Sequence, residues 1–252
     1  MLALLAKYKL MVVAVALLSA FGVGSAGVAA ANGSLPLALS AITGQRAHPA
    51  NHVGAGVTGR KRNANNGIVH GSIITSVNGA YVTYTIDAGQ VSAISTSAIT
   101  LTRLDGQQVT LTITPVTIWG KHHAAPKNPT KLKGRRIVVF SQNGTASQLG
   151  AGNGMLKGAV HLDATFIRNG KSREIQIDRG SAQSVSATQI SVKRADGVTV
   201  TEPVAAKARW IQAPHHTAIQ PSQVAIGATV AIVSYQGKVI IVRLPAASQS
   251  AS

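Results

Sequence analysis

Two stretches of this chain, 91 residues apart, are close copies of each other. Residues 86–110 begin Ile-Asp-Ala-Gly, residues 177–201 begin Ile-Asp-Arg-Gly, and ten of their 25 positions are identical. Trp119 and Trp210 match at the same spacing, and beyond them the spacing becomes 93 residues. One two-residue insertion explains that change. We therefore interpret the chain as a tandem duplication of a unit of about 85 residues.

Each copy alternates polar and apolar residues with the period of a β-strand. Residues 91–104 and 107–119 alternate in this way and are rich in Val, Ile and Thr, as β-strands are. The Asp-Gly dipeptide between them is a strong hairpin signal. Further hairpins are predicted at Asn-Gly and Gly positions. The predicted turn residues are Asn78, Gly79, Asp105, Gly106, Gly144, Asn169, Gly170, Asp196, Gly197 and Gly237.

About six short strands per copy must hide their edges, and closure on themselves is the simplest way. Aromatic residues make up 4% of the chain, so the cores are thin and small modules are favoured. We predict an all-β fold of two tandem small β-barrel (OB-like) or sandwich modules after an N-terminal signal or anchor helix. The predicted segments are 1–31 (signal peptide or membrane anchor), 32–66 (flexible linker), 67–150 and 151–246 (the β-modules) and 247–252 (tail).

The N-terminus predicts export from the cytoplasm. Lys7 and Lys9 precede an apolar run that reaches about Ala31, and small residues follow, as in a secretory signal. The run is also long enough to span a bilayer, so a cleaved signal and a retained anchor both fit. In either case this segment contacts the membrane during export. The modules are then extracytoplasmic, either secreted or anchored at the cell surface.

The two copies resemble a β-rich domain found in exported proteins of high-GC Gram-positive bacteria. The resemblance rests on Val69-His70, on Asp-x-Gly at 87–89 and 178–180, on the two Asp-Gly turns, and on the apolar strands 137–140 and 230–233. Ala88 departs from the Asp-Arg-Gly of that pattern. The resemblance covers about residues 67–245. It implies an OB-like fold and a domain of unknown function, and it transfers no catalytic residue.

The acidic residues do not predict an enzyme. Of seven Asp and Glu residues, Asp87, Asp105, Asp178 and Asp196 match between the copies, and we assign them to turns with Gly89, Gly106, Gly180 and Gly197. Few remain for the facing carboxylate pair of a glycosidase. The chain has no Cys, no Gly-x-Ser-x-Gly elbow and no phosphate-binding Gly-rich loop. We expect no catalytic residue and no cofactor.

The histidines form a second candidate site. His122-His123 and His215-His216 occupy matched loop positions, and neutral imidazoles are ligands for zinc or copper. No Cys or carboxylate completes either pair nearby. Polar loop residues retained since the duplication are the alternative interpretation. The His70 and His161 side chains are expected to form hydrogen bonds at the first strand of each module.

The basic residues give the main functional hypothesis. The formal net charge is +17, which indicates anionic partners or serves solubility. Six cations crowd one segment: Lys121, Lys127, Lys131, Lys133, Arg135 and Arg136. Export and the small number of aromatic side chains argue against nucleic acid. We expect a non-enzymatic binding or scaffold protein of the cell envelope, whose partner is an anionic wall polymer or a lipid surface; the alternative is a metal-binding envelope protein that uses the paired histidines.

Overall fold

The computed structural model describes residues 67–120, 128–150, 158–213 and 215–245, and the fold in these ranges is all-β, as predicted. The first copy contains β1 (Gly67–Val77), β2 (Ala80–Ile94), β3 (Ala98–Arg103), β4 (Gln108–Thr112), β5 (Ile118–Trp119), β6 (Arg136–Gln142) and β7 (Thr145–Leu149). The second contains β8 (Ala159–Arg168), β9 (Lys171–Val185), β10 (Gln189–Arg194), β11 (Thr199–Gln212), β12 (Thr217–Ala218), β13 (Thr229–Tyr235) and β14 (Lys238–Leu244).

The strands of both copies join in one mixed sheet of 14 strands. In the first copy the pairings run from β2 through β3, β4, β7 and β6 back to β2. In the second copy the matching strands β9, β10, β11, β14 and β13 pair in the same circular order. The β4–β7 and β11–β14 pairs are parallel and the others in these circuits are antiparallel. The duplicated sequence therefore folds into a duplicated pattern of strand pairing.

The helices within the described ranges are single 3-10 turns, Pro129–Leu132 and Pro221–Gln223. No described helix has the length and apolarity needed to cross a lipid bilayer. The N-terminal segments 1–31 and 32–66 and the tail 247–252 lie outside the described residues.

The predicted tight turns are confirmed. Asn78-Gly79 joins β1 to β2 and Asn169-Gly170 joins β8 to β9, with positive φ at all four residues. Asn143-Gly144 and Gln236-Gly237 connect the last two long strands of each copy in the same way. Two consecutive left-handed residues form a type I′ turn, whose twist matches that of antiparallel strands. These dipeptides therefore fix the register of four hairpins.

The two copies meet along β1 and β8, which pair antiparallel. Ser72 lies opposite Asp163, and these two residues are each other's counterparts in the repeat. A residue that faces its own counterpart across an antiparallel pair indicates an approximate two-fold axis, as in an isologous dimer interface. A Cβ atom on Gly71 would lie 2.2 Å from the backbone oxygen of Asp163, so the close approach of the strands requires glycine there.

Three apolar clusters hold the sheet together. One draws on the strand circuit of the first copy and includes Trp119, and its counterpart in the second copy includes Trp210. The third cluster lies between the copies, and both contribute large buried side chains to it, among them Ile73, Phe140 and Ile177. Because this cluster belongs to neither copy alone, the two copies pack as one body.

Candidate anion-binding surface

A buried carboxylate organises one end of the first copy. Asp87 of β2 accepts hydrogen bonds at Oδ1 from His70 Nδ1 (3.0 Å) and from Arg103 Nη1 (3.0 Å). The same guanidinium donates to Asp105 in the β3–β4 turn, with Nη2 2.7 Å from Oδ2. Burial opposes the charge of Arg103, but the bonds to Asp105 and Asp87 outweigh it, so the pKa of Arg103 is raised. The network ties β1 and the β3–β4 turn to β2.

The second copy repeats the network with shorter bonds. Asp178 of β9 is fully buried and accepts from His161 Nδ1 (2.8 Å) and from Arg194 Nη1 (2.9 Å). Arg194 also donates through Nη2 to Asp196 Oδ2 (2.7 Å). The expectation that His70 and His161 form hydrogen bonds at the first strand of each copy is confirmed. Charge-assisted bonds of this kind place four carboxylates against two arginines.

The turn assignment was wrong for two of the four Asp-Gly sites. Asp105 and Asp196 lie in turns with Gly106 and Gly197, whereas Asp87, Gly89, Asp178 and Gly180 lie inside the long strands β2 and β9. The glycines serve close strand contact instead. A Cβ on Gly89 would lie 2.6 Å from the backbone oxygen of Thr102, and one on Gly180 would lie 2.1 Å from that of Lys193.

The described part of the basic segment, Lys131–Arg136, has three exposed cations and one half-buried arginine. Lys131, Lys133 and Arg135 are exposed on the 3-10 helix Pro129–Leu132 and the turn after it. Arg136, the first residue of β6, is half-buried, and its Nη2 donates to the backbone oxygen of Ile68 (2.9 Å). Burial lowers the pKa of Arg136. Two further predicted members of the segment, Lys121 and Lys127, lie outside the described residues.

A cleft of about 620 Å³ lies in the second copy, with one lining residue from the first. Tyr81 of the first copy lines it together with Arg179, Lys193 and Arg194 of the second copy. Asp178 and Asp196 hold Arg194, whereas Lys193 is exposed and forms no ion pair with a described residue. Burial lowers the pKa of Arg179. None of the described residues that line the cleft is acidic. Lys193 is therefore a cation of the cleft that no described acid compensates.

Each copy has one half-buried arginine on a pair of neighbouring strands, but the arginine is on a different strand of the pair in each copy. Arg136 of β6 has Thr229 as its counterpart, and Arg179 of β9 has Ala88 as its counterpart. In the first copy the arginine is on β6 and the small residue is on its neighbour β2. In the second copy the arginine is on β9, which matches β2, and the small residue is on β13, which matches β6. Thr229 lines the same cleft as Arg179. Each copy therefore has one half-buried guanidinium on this pair of neighbouring strands.

The charge that remains on the described surface is strongly positive. All seven acids are described, and four of them are held in the two arginine networks. Glu202 accepts a hydrogen bond from Ser234, which leaves Asp163 and Glu174 exposed. Nine described cations form no ion pair with a described residue. Arg243 is buried, and the other eight are exposed or partly exposed: Lys131, Lys133, Arg135, Lys171, Arg173, Lys193, Lys207 and Lys238.

The described half of the histidine site has cationic surroundings. His215 and His216 are exposed, and His216 has a left-handed backbone with φ +56°. Burial and then the charges of Arg243, Arg209 and His215 lower the pKa of His216. Within the described residues no three His, Cys, Asp or Glu side chains come together as metal ligands. His122 and His123 lie outside the described residues, and the metal hypothesis stays a prediction.

Three charged residues near these surfaces were counted with the charges of the chain but assigned to no candidate site, because sequence reasoning followed the matches between the copies. Arg179 stands where the first copy has Ala88, Glu202 where it has Leu111, and Arg243 where it has Gly150. Each is at least partly buried. A charged residue at a position that is apolar or glycine in the other copy can be found from the sequence. It indicates a charge at a buried position, which needs a compensating partner.

The chain matches no protein-family model, no curated protein and no solved structure. The resemblance to the exported β-rich domain therefore stays a prediction from the sequence.

Proposed function

We propose that this protein is an exported, non-enzymatic binding or scaffold protein of the cell envelope that holds anionic polymers on a basic surface. The observation that carries the proposal is the imbalance of compensated charge. Internal networks occupy four of the seven carboxylates, while nine described cations have no ion-pair partner. An uncompensated basic surface attracts polyanions over distances of about a Debye length, roughly 10 Å at 0.1 M salt.

The strand circuits support an OB-like interpretation of each copy. Five strands pair in a closed order with one parallel pair in each circuit, and a partly open five-stranded barrel is the usual description of an OB fold. We propose two such barrels, joined by β1 and β8. Closing the circuits would leave few free edges for aggregation in a chain with thin aliphatic cores.

The placement of the tryptophans favours wall polymer or lipid over nucleic acid. Single-stranded nucleic acid is usually held by bases that stack on exposed aromatic rings. Both tryptophans of the chain, Trp119 and Trp210, are buried in the apolar clusters. The cations on the described surface can bind phosphate or carboxylate groups without such stacking.

The carboxylates also favour a binding role over a catalytic one. General acid and base catalysis by two carboxylates requires both to face a substrate. Asp87 and Asp178 are buried against histidine and arginine. The arginine that binds each of them also donates two hydrogen bonds to a turn aspartate, Asp105 or Asp196. Four of the seven acids are thereby committed to holding the fold.

Cosedimentation with purified cell-wall sacculi and with teichoic acid tests the proposal. The triple variant Lys131→Glu, Lys133→Glu, Arg135→Glu reverses three exposed cations of the basic segment. We expect it to bind at least tenfold more weakly than the unchanged protein. The matched control reverses three exposed lysines of the second copy, Lys171, Lys207 and Lys238, with the same change in net charge. A smaller loss is expected for the control, and equal binding by all three proteins would contradict the proposal.

A further inference from the structure

The strongest unexplained feature of the described chain is a buried arginine without an acceptor. Arg243 of β14 is 9% exposed, and its Nε and Nη1 atoms are buried with no hydrogen-bond partner. None of the seven acids of the chain, all of which are described, forms an ion pair with it. A buried unpaired charge is costly, and native proteins compensate such groups with a counter-ion or a hydrogen-bonded partner.

The surroundings of Arg243 include a second guanidinium and an imidazole. Arg243 lies opposite Ile211 of β11 and Ala231 of β13, and β12 pairs with β11 directly beside it. Arg209 of β11 and His216, just before β12, lie close enough for the charges of Arg243 and Arg209 to lower the pKa of His216. Burial likewise lowers the pKa of Arg243. A buried guanidinium with a second cation, Arg209, near it favours an anion over water, since water satisfies an N–H group of Arg243 but leaves its charge uncompensated.

We propose that Arg243, with Arg209 and His216 beside it, forms a specific site for a single tetrahedral oxyanion, a phosphate or sulfate group. Nε and Nη1 of Arg243 are sealed from solvent, so the guanidinium donates to the oxyanion through Nη2, and the anion compensates the buried charge. The site belongs to the second copy alone, because Gly150 stands at the matching position of the first copy. The ligand is free phosphate or a phosphate group of an envelope polymer; the polymer source rests on the proposed function.

Isothermal titration calorimetry with inorganic phosphate and with sulfate, at constant ionic strength in chloride, tests this site on the purified protein. We expect saturable binding of one anion per chain. Arg243→Met should weaken it at least tenfold, because methionine keeps the apolar stem but removes the charge. Lys238→Met, at an exposed lysine of the same strand, is the matched control and should bind as the unchanged protein does. Absence of saturable binding, or equal binding by Arg243→Met, would overturn the site.

Thermal unfolding provides a second measurement that does not depend on calorimetric heat. Phosphate should raise the Tm of the unchanged protein and leave that of Arg243→Met unmoved, because a ligand stabilises only a folded state that binds it. In chloride without phosphate, Arg243→Met should be at least as stable as the unchanged protein, because it loses an uncompensated buried charge. A large loss of stability in chloride would contradict the site and indicate a structural partner instead.

Polymer binding separates this site from the proposed function. Teichoic acid supplies phosphate groups and polyglutamate supplies carboxylates only. If the polymer is the source of the ligand, Arg243→Met should weaken cosedimentation with teichoic acid and not with polyglutamate. If binding of inorganic phosphate requires Arg243 but cosedimentation does not, free phosphate is the ligand. If the unchanged protein binds no polymer but still binds inorganic phosphate, the proposed function is wrong and the phosphate site is supported.

Discussion

Asp87 and Asp178 show how single residues of this chain connect distant parts of the fold. Each is buried in a long strand and receives one bond from a histidine of the preceding strand and one from an arginine of the following strand. The arginine continues to an aspartate in the adjacent turn. The two networks are structural, because every charged member faces another member of the same network.

Removal of the buried carboxylate should be costly. We expect Asp178→Asn to lower the free energy of unfolding by about 3 kcal/mol, because it removes the buried negative charge opposite Arg194. It also replaces Oδ2, which accepts from Gln176 Nε2, with an NH2 group that can only donate. Chemical denaturation measures the change. Asp163→Asn, at an exposed acid, is the control and should stay within about 0.5 kcal/mol. Equal stability of Asp178→Asn and the control would contradict a structural role for the network.

The partly buried Glu202 should make the stability of the fold depend on pH. Burial and then the nearby charge of Asp178 raise its pKa, against the opposing hydrogen bond from Ser234 and the charge of His161. A carboxyl whose pKa is higher in the folded than in the unfolded state favours folding at low pH and loses that contribution as pH rises above its unfolded value. Glu202→Gln should therefore raise the Tm at pH 7 and have little effect below about pH 4. A lower Tm for Glu202→Gln at pH 7 would contradict this account.

At the scale of strands, the β1–β8 pair decides how the two copies assemble. The pair is nearly two-fold symmetric about Ser72 and Asp163, which lie opposite each other. The residue pair on one side of this point along the strands is small, and the pair on the other side is large. Gly71 faces Ala164, while Ile73 faces Leu162. The small side lets the backbones approach closely. The large side supplies the shared apolar cluster with Ile73 and Leu162.

A methyl group at Gly71 tests that close approach. Gly71→Ala places a Cβ atom against the backbone of Asp163, which cannot move without breaking strand pairing. We expect a loss of about 2 kcal/mol in the free energy of unfolding. Ser72→Ala, one residue further along β1, is the control and should cost less than about 1 kcal/mol. Similar stability of the two variants would show that the junction tolerates a wider spacing.

The strands also show where sequence reasoning succeeds and where it stops. Asn-Gly and Asp-Gly turns act through local backbone chemistry, so the hairpins at Asn78-Gly79 and Asn169-Gly170 could be predicted without a structure. The place of Asp87 could not, because its partners His70 and Arg103 are 17 and 16 residues away in sequence. The pairing of β1 with β8 joins residues 84 to 100 apart in sequence, and no local pattern encodes it. The basic segment was found from composition, while the cleft required the fold.

At the scale of the whole molecule, the shared apolar cluster makes the two copies one cooperative unit. Residues of eight strands from both copies contribute to it. Exposure of this cluster by unfolding one copy would leave the other with a large apolar face in water. We expect a single calorimetric transition for which the calorimetric and van't Hoff enthalpies agree. Two separate transitions would contradict the assembly described here.

The cleft in the second copy offers a test that uses the duplication itself. Arg179→Ala and Lys193→Thr give the second copy the residues that the first copy has at positions 88 and 102. Because both side chains line the cleft, we expect this double variant to bind teichoic acid several-fold more weakly while keeping its Tm within a few degrees. Lys171→Ser and Lys207→Ser remove two exposed charges elsewhere and serve as the control. Equal binding by the two double variants would assign no special role to the cleft.

The dependence of teichoic acid binding on salt tests the central claim most directly. If the protein holds anionic polymer through uncompensated cations, bound polymer releases counter-ions, and the logarithm of the binding constant falls linearly and steeply with the logarithm of salt concentration. The slope should become shallower in the Lys131, Lys133, Arg135 charge-reversal variant, because three of the contributing cations are gone. Binding that does not change between 50 and 200 mM salt, or no binding at the lower salt, would contradict the claim.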